Sequence, residues 1–234
     1  MSKNKNDEFI SIVWHELRTP LTSIRWYISM ILEWDMWDVS PEARKALNHC
    51  YDSSVRLINL VNDVLALSKI ESWKMEYYMQ EVMITELLKL VYNDVFLEIE
   101  NKWVNFEIEI DKNLKWKEIN IDPDKIRQVF INLINNAVKF TDIWWKIIIK
   151  ASKVKNKVKF EVIDNGIWIP KEKIKEIFEK FSQIESSMQR QNTTGLGIWL
   201  ALCKNFIKDF WSEIEVKSQV WEWSNFSFEL NLIS

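Results

Sequence analysis

The chain has 234 residues, a formal net charge of −3, 47% hydrophobic residues and 28% charged residues. That length suffices to bury a core in one or two domains, and the balance excludes a disordered chain. A slightly acidic chain without a dense basic cluster gives no electrostatic case for nucleic acid. Cys50 and Cys203, far apart with no CxxC and only 2 His, exclude a zinc motif and a disulfide framework, so two reduced thiols are expected.

Met1 to Glu8 is polar and lacks the apolar stretch of a signal peptide, and no apolar run approaches the roughly 18 residues of a membrane span. From about 7 to 71 the pattern predicts two long helices. Phe9, Ile10, Val13, Leu17, Leu21 and Ile24 recur at helical spacing on the first, which carries His15-Glu16-Leu17-Arg18-Thr19-Pro20. The second starts at Ser40-Pro41-Glu42, with Ser40 as N-cap and Pro41 in the first turn. Its apolar residues Val55, Ile58, Val61 and Leu65, joined by Leu57, Leu60 and Val64, form a stripe too wide for one contact. A hairpin of this size cannot bury it alone. Dimerisation into a four-helix bundle would, and so would folding back onto a second domain.

Ser72-Trp73-Lys74 reads as a linker between a domain at 1–72 and another at 73–234. Beyond it the pattern predicts a helix around 84–100, strands near 104–110 and 116–121, and a helix opened by Asp122-Pro123-Asp124. Strands near 146–152 and 157–163 follow, then a short helix around 171–180 and a polar stretch from Ser182 to Thr194. A helix at about 196–209 and strands near 213–219 and 225–232 end the chain. Helices and strands on one mixed sheet make an α+β sandwich, and there is no internal repeat.

Asn132-Leu133-Ile134-Asn135-Asn136-Ala137-Val138-Lys139-Phe140-Thr141 lies on the helix opened by Pro123, whose apolar face is Ile126, Val129, Phe130, Leu133, Ile134 and Ala137. Asn132 and Asn136 are four apart and point the same way. Asparagine is a poor helix former, so two stacked mid-helix amides suggest that something polar is held; a plain polar helix face is the other reading. An amide oxygen can ligate Mg²⁺ without adding charge, and an amide N–H can donate to a phosphate.

These two segments, with Asp164-Asn165-Gly166-Ile167-Trp168-Ile169-Pro170 and Gly195-Leu196-Gly197-Ile198-Trp199-Leu200-Ala201-Leu202, stand in an order that resembles the sensor histidine kinases of two-component signalling. The resemblance runs from about Asp7 to Leu232. It implies a helical hairpin dimerising into a four-helix bundle, followed by the α/β-sandwich ATPase fold shared with Hsp90-type chaperones and type II topoisomerases. By resemblance His15 is the phosphoacceptor, suited by an unperturbed pKa of about 6.5. Glu16 would take its proton, and Glu16 with Thr19 matches the arrangement linked to phosphatase action on the partner. Pro20 removes one backbone N–H and can bend the helix there. A surface histidine is the plain alternative for His15, and His49 has no such context.

The resemblance also implies ATP and Mg²⁺ as cofactors. Asn136 matches the metal ligand, with Asn132 beside it near the phosphates. Lys139 offers charge to the phosphate chain, and Phe140 lines the adenine pocket. Asp164 would accept from the adenine amino group, while Gly166 and position 168 let the backbone pass close to the base. Thr194, Gly195, Leu196, Gly197 and Trp199 match a glycine-alternating loop whose N–H groups suit a triphosphate. Ser182 to Thr194 would be the mobile ATP lid or simply a solvated loop. Phe178 and Phe181 would edge that lid or form a core pair.

The tryptophans depart from this pattern. There are 14 Trp and 3 Gly, whereas glycine is about 7% of an ordinary chain. Trp34 and Trp37 flank Asp35 in an interhelical turn, Trp144-Trp145 precedes a strand, and Trp221-Glu222-Trp223-Ser224 sits in a hairpin, all positions suited to positive φ. Against the family pattern Trp26, Trp73, Trp103, Trp144, Trp145, Trp168, Trp199, Trp211, Trp221 and Trp223 fall where glycine is usual. Exchanging every Trp for Gly would bring glycine from 3 to 17 residues, an ordinary count. The reading is a gene from a lineage in which UGA encodes glycine, translated with a code in which it encodes tryptophan; a tryptophan-rich protein is the alternative. UGG codons at these positions would refute it.

The expected function is ATP-dependent autophosphorylation of His15 and transfer to an aspartate on a response regulator receiver domain. The chain would act as a cytoplasmic homodimer, fed by an absent sensor segment or a separate partner, either of which could hold it at a membrane. The rival is a non-catalytic dimeric scaffold, supported only by Trp168 and Trp199. An ATP-driven clamp of the related ATPases leaves the His15 motif unexplained.

Overall fold

The computed structural model describes residues 3–33, 39–71, 75–140, 146–166, 169–180, 182, 197–219 and 222–233; the side chains of 3–16, 33, 56, 59, 60 and 63–71 lie outside the description. The chain divides into two compact units, Met1–Met75 and Glu76–Ser234. The Ser72-Trp73-Lys74 linker and the turn around Trp34, Asp35 and Trp37 lie outside the described residues.

The first unit contains α1 (Lys3–Glu33) and α2 (Pro41–Glu71). Ser40 caps α2 as its sequence demands: its Oγ accepts from Ala43 N at 3.2 Å and its carbonyl from Arg44 N at 2.8 Å. Arg44 Nη1 donates to Leu32 O at 3.0 Å and ties the two helices near their turn. Among the described side chains Ile28 is buried, while Leu17, Ile24 and Leu57 remain exposed. The hairpin therefore leaves apolar surface in water.

The second unit comprises β1 (Gln80–Met83), α3 (Ile84–Lys102), β2 (Asn105–Ile110), β3 (Glu118–Ile121), α4 (Pro123–Phe140), β4 (Lys146–Val154), β5 (Lys157–Asp164), α5 (Trp199–Asp209), β6 (Glu215–Gln219) and β7 (Trp223–Asn231). Five strands form a mixed sheet in the order β2-β4-β5-β7-β6, with β2 parallel to β4 and the rest antiparallel. Val158, Phe160 and Val162 alternate along β5 and face Leu230, Phe228 and Phe226 of β7. Phe130 of α4 packs onto this face, its ring centroid 5.3 Å from Phe160 and 5.4 Å from Phe228. The alternate positions carry charge, paired as Lys146–Glu107, Lys157–Glu229 and Lys159–Glu161. Helix α4 packs against both α3 and α5. Arg127 grips both oxygens of Asp94 on α3, at 2.8 to 3.0 Å.

Three expectations need correction. The strands do not share one sheet: β1 pairs with β3 in a separate two-stranded ribbon, from Gln80↔Ile121 to Met83↔Glu118. Gln80–Met83 is too short to show periodicity, so the sequence hides the partner that draws β3 away. The helix expected over 171–180 is two 3₁₀ turns, Lys171–Lys173 and Glu176–Phe178, closed by short-range bonds such as Lys173 N to Pro170 O and Glu179 N to Glu176 O. Helix α5 begins at Trp199, not 196, because Gly197 has φ 67° and breaks the helical phase ahead of it.

Among the described residues three non-glycine positions have positive φ, and two are tryptophans, Trp103 (55°) and Trp211 (59°). Both sit just past a helix in the same hydrogen-bond pattern. Trp103 N donates to Glu100 O and Val104 N to Ile99 O after α3; Trp211 N donates to Lys208 O and Ser212 N to Ile207 O after α5. This is the Schellman ending, whose left-handed residue is ordinarily glycine. Both indoles lie largely in water, with Trp103 69% and Trp211 92% exposed. Trp34, Trp37, Trp73, Trp144, Trp145, Trp168 and Trp221 lie outside the described residues.

Candidate functional site

His15 and Glu16 lie on the backbone of α1; their side chains are outside the description. Thr19 and Pro20 follow one turn on and are exposed, and Ser23 Oγ donates to Thr19 O at 3.1 Å. Pro20 is inside α1 and has no N–H to give the turn before it. His49 is exposed on α2.

In the second unit α4 supplies the amides. Asp122, buried, caps it: Oδ1 accepts from Asp124 N at 3.1 Å and Lys125 N at 3.2 Å, and Oδ2 accepts from Tyr78 N at 2.9 Å. This anchors the helix start to the segment just ahead of β1. Asn136, Lys139 and Phe140 are half-buried toward the other end. Desolvation lowers the Lys139 pKa, and its ammonium lies 5.1 Å from the Phe140 ring centroid. Lys102 of α3 donates to Val138 O in that last turn.

Asp164 ends β5 with its carboxyl buried. Burial pushes its pKa up to about 7, against the opposing effect of Gly166 N, which donates to Oδ1 at 3.0 Å. A Cβ on Gly166 would stand 2.5 Å from Phe140 O and 2.8 Å from Asp164 Oδ1. Only glycine lets the β5 exit pass so close to the end of α4. Asn165 holds the same bend, its Oδ1 accepting from Lys146 N at 2.7 Å, and Ser218 Oγ accepts from Ile169 N at 2.8 Å. The structure thus brings Phe140, Asp164 and Gly166 together at one place.

Asn132 is buried, unlike Asn136. Its Oδ1 accepts from Gln128 Nε2 at 3.0 Å, and its Nδ2 faces Cys203 Sγ of α5 at 3.7 Å. Gly197 and Trp199 lead into α5, Trp199 half-buried as its first residue. Thr194, Gly195, Leu196, Trp168 and Phe181 lie outside the described residues, as does the stretch from 183 to Thr194. Phe178 is half-buried, 6.4 Å from Phe226 between ring centroids, with Lys204 Nζ 5.9 Å from its ring.

Sequence reasoning passed over Gln128, Cys203 and Asn165. The four-residue spacing of Gln128 and Asn132 was a usable signal. The approach of Cys203 was not, since 71 residues separate it from Asn132. Among the described residues no three His, Cys, Asp or Glu side chains converge as a metal site, and no helix is long and apolar enough to cross a membrane. A glycine cradle beside a buried carboxyl, with an amide and a lysine on the adjoining helix, suits a flat polar base carrying a phosphate chain.

Residues 5–73 match the family described as the His Kinase A (phospho-acceptor) domain, and residues 121–233 that of the histidine kinase-, DNA gyrase B- and HSP90-like ATPases. The circadian input-output histidine kinase CikA of Synechococcus elongatus is 30% identical over 94% of this chain. The chain spans 29% of that protein's length. Full-length ShkA in complex with AMPPNP superposes with a TM-score of 0.80 at 25% identity, over 97% of this chain and 46% of that one. Histidine kinase ThkA in complex with response regulator protein TrrA superposes with a TM-score of 0.63 at 26% identity, over 96% of this chain and 61% of that one.

Proposed function

The chain belongs to the histidine kinases, joining a phosphoacceptor domain to their ATPase domain, and on that footing we propose that it transfers the γ-phosphoryl group of ATP to His15. A ring nitrogen of His15 attacks the γ-phosphorus, the bond to the β-phosphate oxygen breaks, ADP leaves, and Glu16 takes the ring proton. A receiver-domain aspartate of a response regulator then accepts the phosphoryl group from His15. Glu16 and Thr19 would position water for attack on the regulator's aspartyl phosphate, which releases inorganic phosphate and restores the aspartate.

The observation that carries this reading is the Gly166 cradle, where a Cβ would meet Phe140 O at 2.5 Å beside the buried Asp164. Asp164, as the carboxylate, accepts from the adenine amino group, and Phe140 lines the base. Lys139 meets the phosphate chain with its charge. Its desolvation lowers the cost of giving up water for a phosphate. Thr194, Gly195, Leu196, Gly197 and position 199 supply the phosphate loop. Asn136 would hold Mg²⁺ through its amide oxygen, and the metal when bound would neutralise phosphate charge. The exposed Leu17, Ile24 and Leu57 support a homodimer whose second hairpin completes the bundle. A cytoplasmic location fits the ATP requirement. The rival scaffold reading rests on Trp168, outside the described residues, and Trp199, and gains nothing from the comparisons.

Incubation with γ-labelled ATP and Mg²⁺ tests the proposal. Acid-labile, base-stable label is expected, and His15→Ala should abolish it while leaving ATP binding intact. Undiminished label in that variant removes His15 from the role.

A further inference from the structure

Gln128, Asn132 and Asn136 form a row of amides, each four residues from the next along one flank of α4. The first two are already engaged. Gln128 Nε2 donates to Asn132 Oδ1 at 3.0 Å, and Asn132 Nδ2 donates to Cys203 Sγ at 3.7 Å. Cys203 Sγ reaches back to Val129 O at 4.0 Å, so one thiol both accepts from and donates to α4. Cys203 is fully buried and Asn132 nearly so. Burial pushes the thiol pKa up to about 12, which keeps the proton this second contact needs.

Cys203 sits one turn into α5, whose first turn continues directly from Gly197. A clamp at this point fixes the rotation of α5 about its axis relative to α4. Gly197 leads into one helix, and Asn136 and Lys139 stand on the other. We propose that Asn132 is a positioning residue, acting on nucleotide through Cys203 and the seating of α5, with Gln128 holding its amide in the required rotamer. This rests on the nucleotide-site reading above. It also divides the two stacked asparagines by role: Asn136 belongs to the bound nucleotide and metal, Asn132 to the helix that presents the loop.

The test is a double-mutant cycle in the full chain, with Cys50→Ser in every protein so that Cys203 is the one thiol. Cys203→Ala should raise the KM for ATP about three- to tenfold, the equivalent of one neutral hydrogen bond, with kcat at saturating ATP nearly unchanged. Cys203→Ser, which keeps a donor and an acceptor, should recover most of that loss. Asn132→Ala should raise KM similarly, and the double variant should be no worse than the poorer single one. Cys203, slow toward N-ethylmaleimide in the parent, should react markedly faster in Asn132→Ala. Should Asn132→Ala fail to fold, Gln128→Ala frees the same amide and should show the same rise in thiol reactivity and in KM.

Multiplying KM effects overturn the proposal, because they mean Asn132 touches nucleotide independently of Cys203; so does unchanged thiol reactivity in both Asn132→Ala and Gln128→Ala. If the parent neither binds ATP nor becomes labelled, the nucleotide reading fails, and with it the claim that the clamp serves nucleotide. The reactivity measurement still reports separately whether Asn132 holds Cys203.

Discussion

Replacing Trp103 and Trp211 together by glycine should make the protein more stable, although each change deletes the largest side chain there is. Both residues are held in the left-handed region, φ 55° and 59°, by backbone bonds that end α3 and α5. That conformation costs a non-glycine residue about 1–2 kcal/mol. Glycine brings an opposing loss of about 0.4–1 kcal/mol through the freedom it adds to the unfolded chain. The indoles contribute little burial to lose, being 69% and 92% exposed, and the hydrogen bonds are made by backbone and survive. The difference favours glycine by about 0.5–1 kcal/mol per site, or about 1–2 kcal/mol for the pair. For a chain of this size that is a rise of about 2–8 °C in Tm. Far-UV circular dichroism or calorimetry should follow it, since tryptophan fluorescence changes with the substitution itself. Trp26 supplies the control. It too is exposed, at 58%, but lies inside α1, where glycine is a poorer helix former by about 0.5 kcal/mol. Trp26→Gly should therefore fail to stabilise. A double variant with unchanged or lower Tm, or an equal gain from Trp26→Gly, refutes the backbone argument.

The raised pKa of Asp164 makes two opposite pH dependences. The folded protein keeps the proton up to about pH 7 while the unfolded chain releases it near 4, so nucleotide-free stability should fall as pH rises through that window. Asp164→Asn should flatten that part of the stability curve, measured by denaturant titration. With the Asp164 carboxylate as the proposed acceptor for adenine, ATP binding should instead strengthen as pH rises through about 7, as calorimetric titration can read. Gly166→Ala should lose ATP binding and cost about 1–3 kcal/mol of stability, because its Cβ would press on the Phe140 backbone, which has nowhere to go; a normally stable, ATP-binding variant would dismiss the cradle. Ile58→Glu with Leu65→Glu should turn a dimer into monomer in sedimentation, since unpaired charges in an apolar seam are costly. A parent chain that sediments as a monomer contradicts the bundle.

Local chemistry was legible wherever cause and effect lie within a turn or two. Ser40 announced the start of α2 and Asp122-Pro123-Asp124 that of α4, because capping is done by neighbours in sequence. The strand expected near 157–163 stands as β5, Lys157–Asp164, with Val158, Phe160 and Val162 on its buried face, since the side-chain period of a strand is independent of what it packs on. The histidine and asparagine motifs and the tryptophan surplus were equally plain. Segments too short to carry a period were not legible, which is why β1 went unseen and two 3₁₀ turns passed for a helix.

The sequence alone therefore determined the family, the two-part organisation and the amides, acids and glycines available for a nucleotide. Only the tertiary structure decided where each is set and what it touches. It put Gly166 against the carbonyl of Phe140 and buried Asp164 beside it, which moves that carboxyl to about 7. It turned Asn132 toward Cys203 while its neighbour one turn on was left half-exposed. The physical reason is the range of the interactions. A helix cap or an alternating strand is set by a few adjacent residues, whereas desolvation and close backbone approach depend on which distant segments the fold brings together.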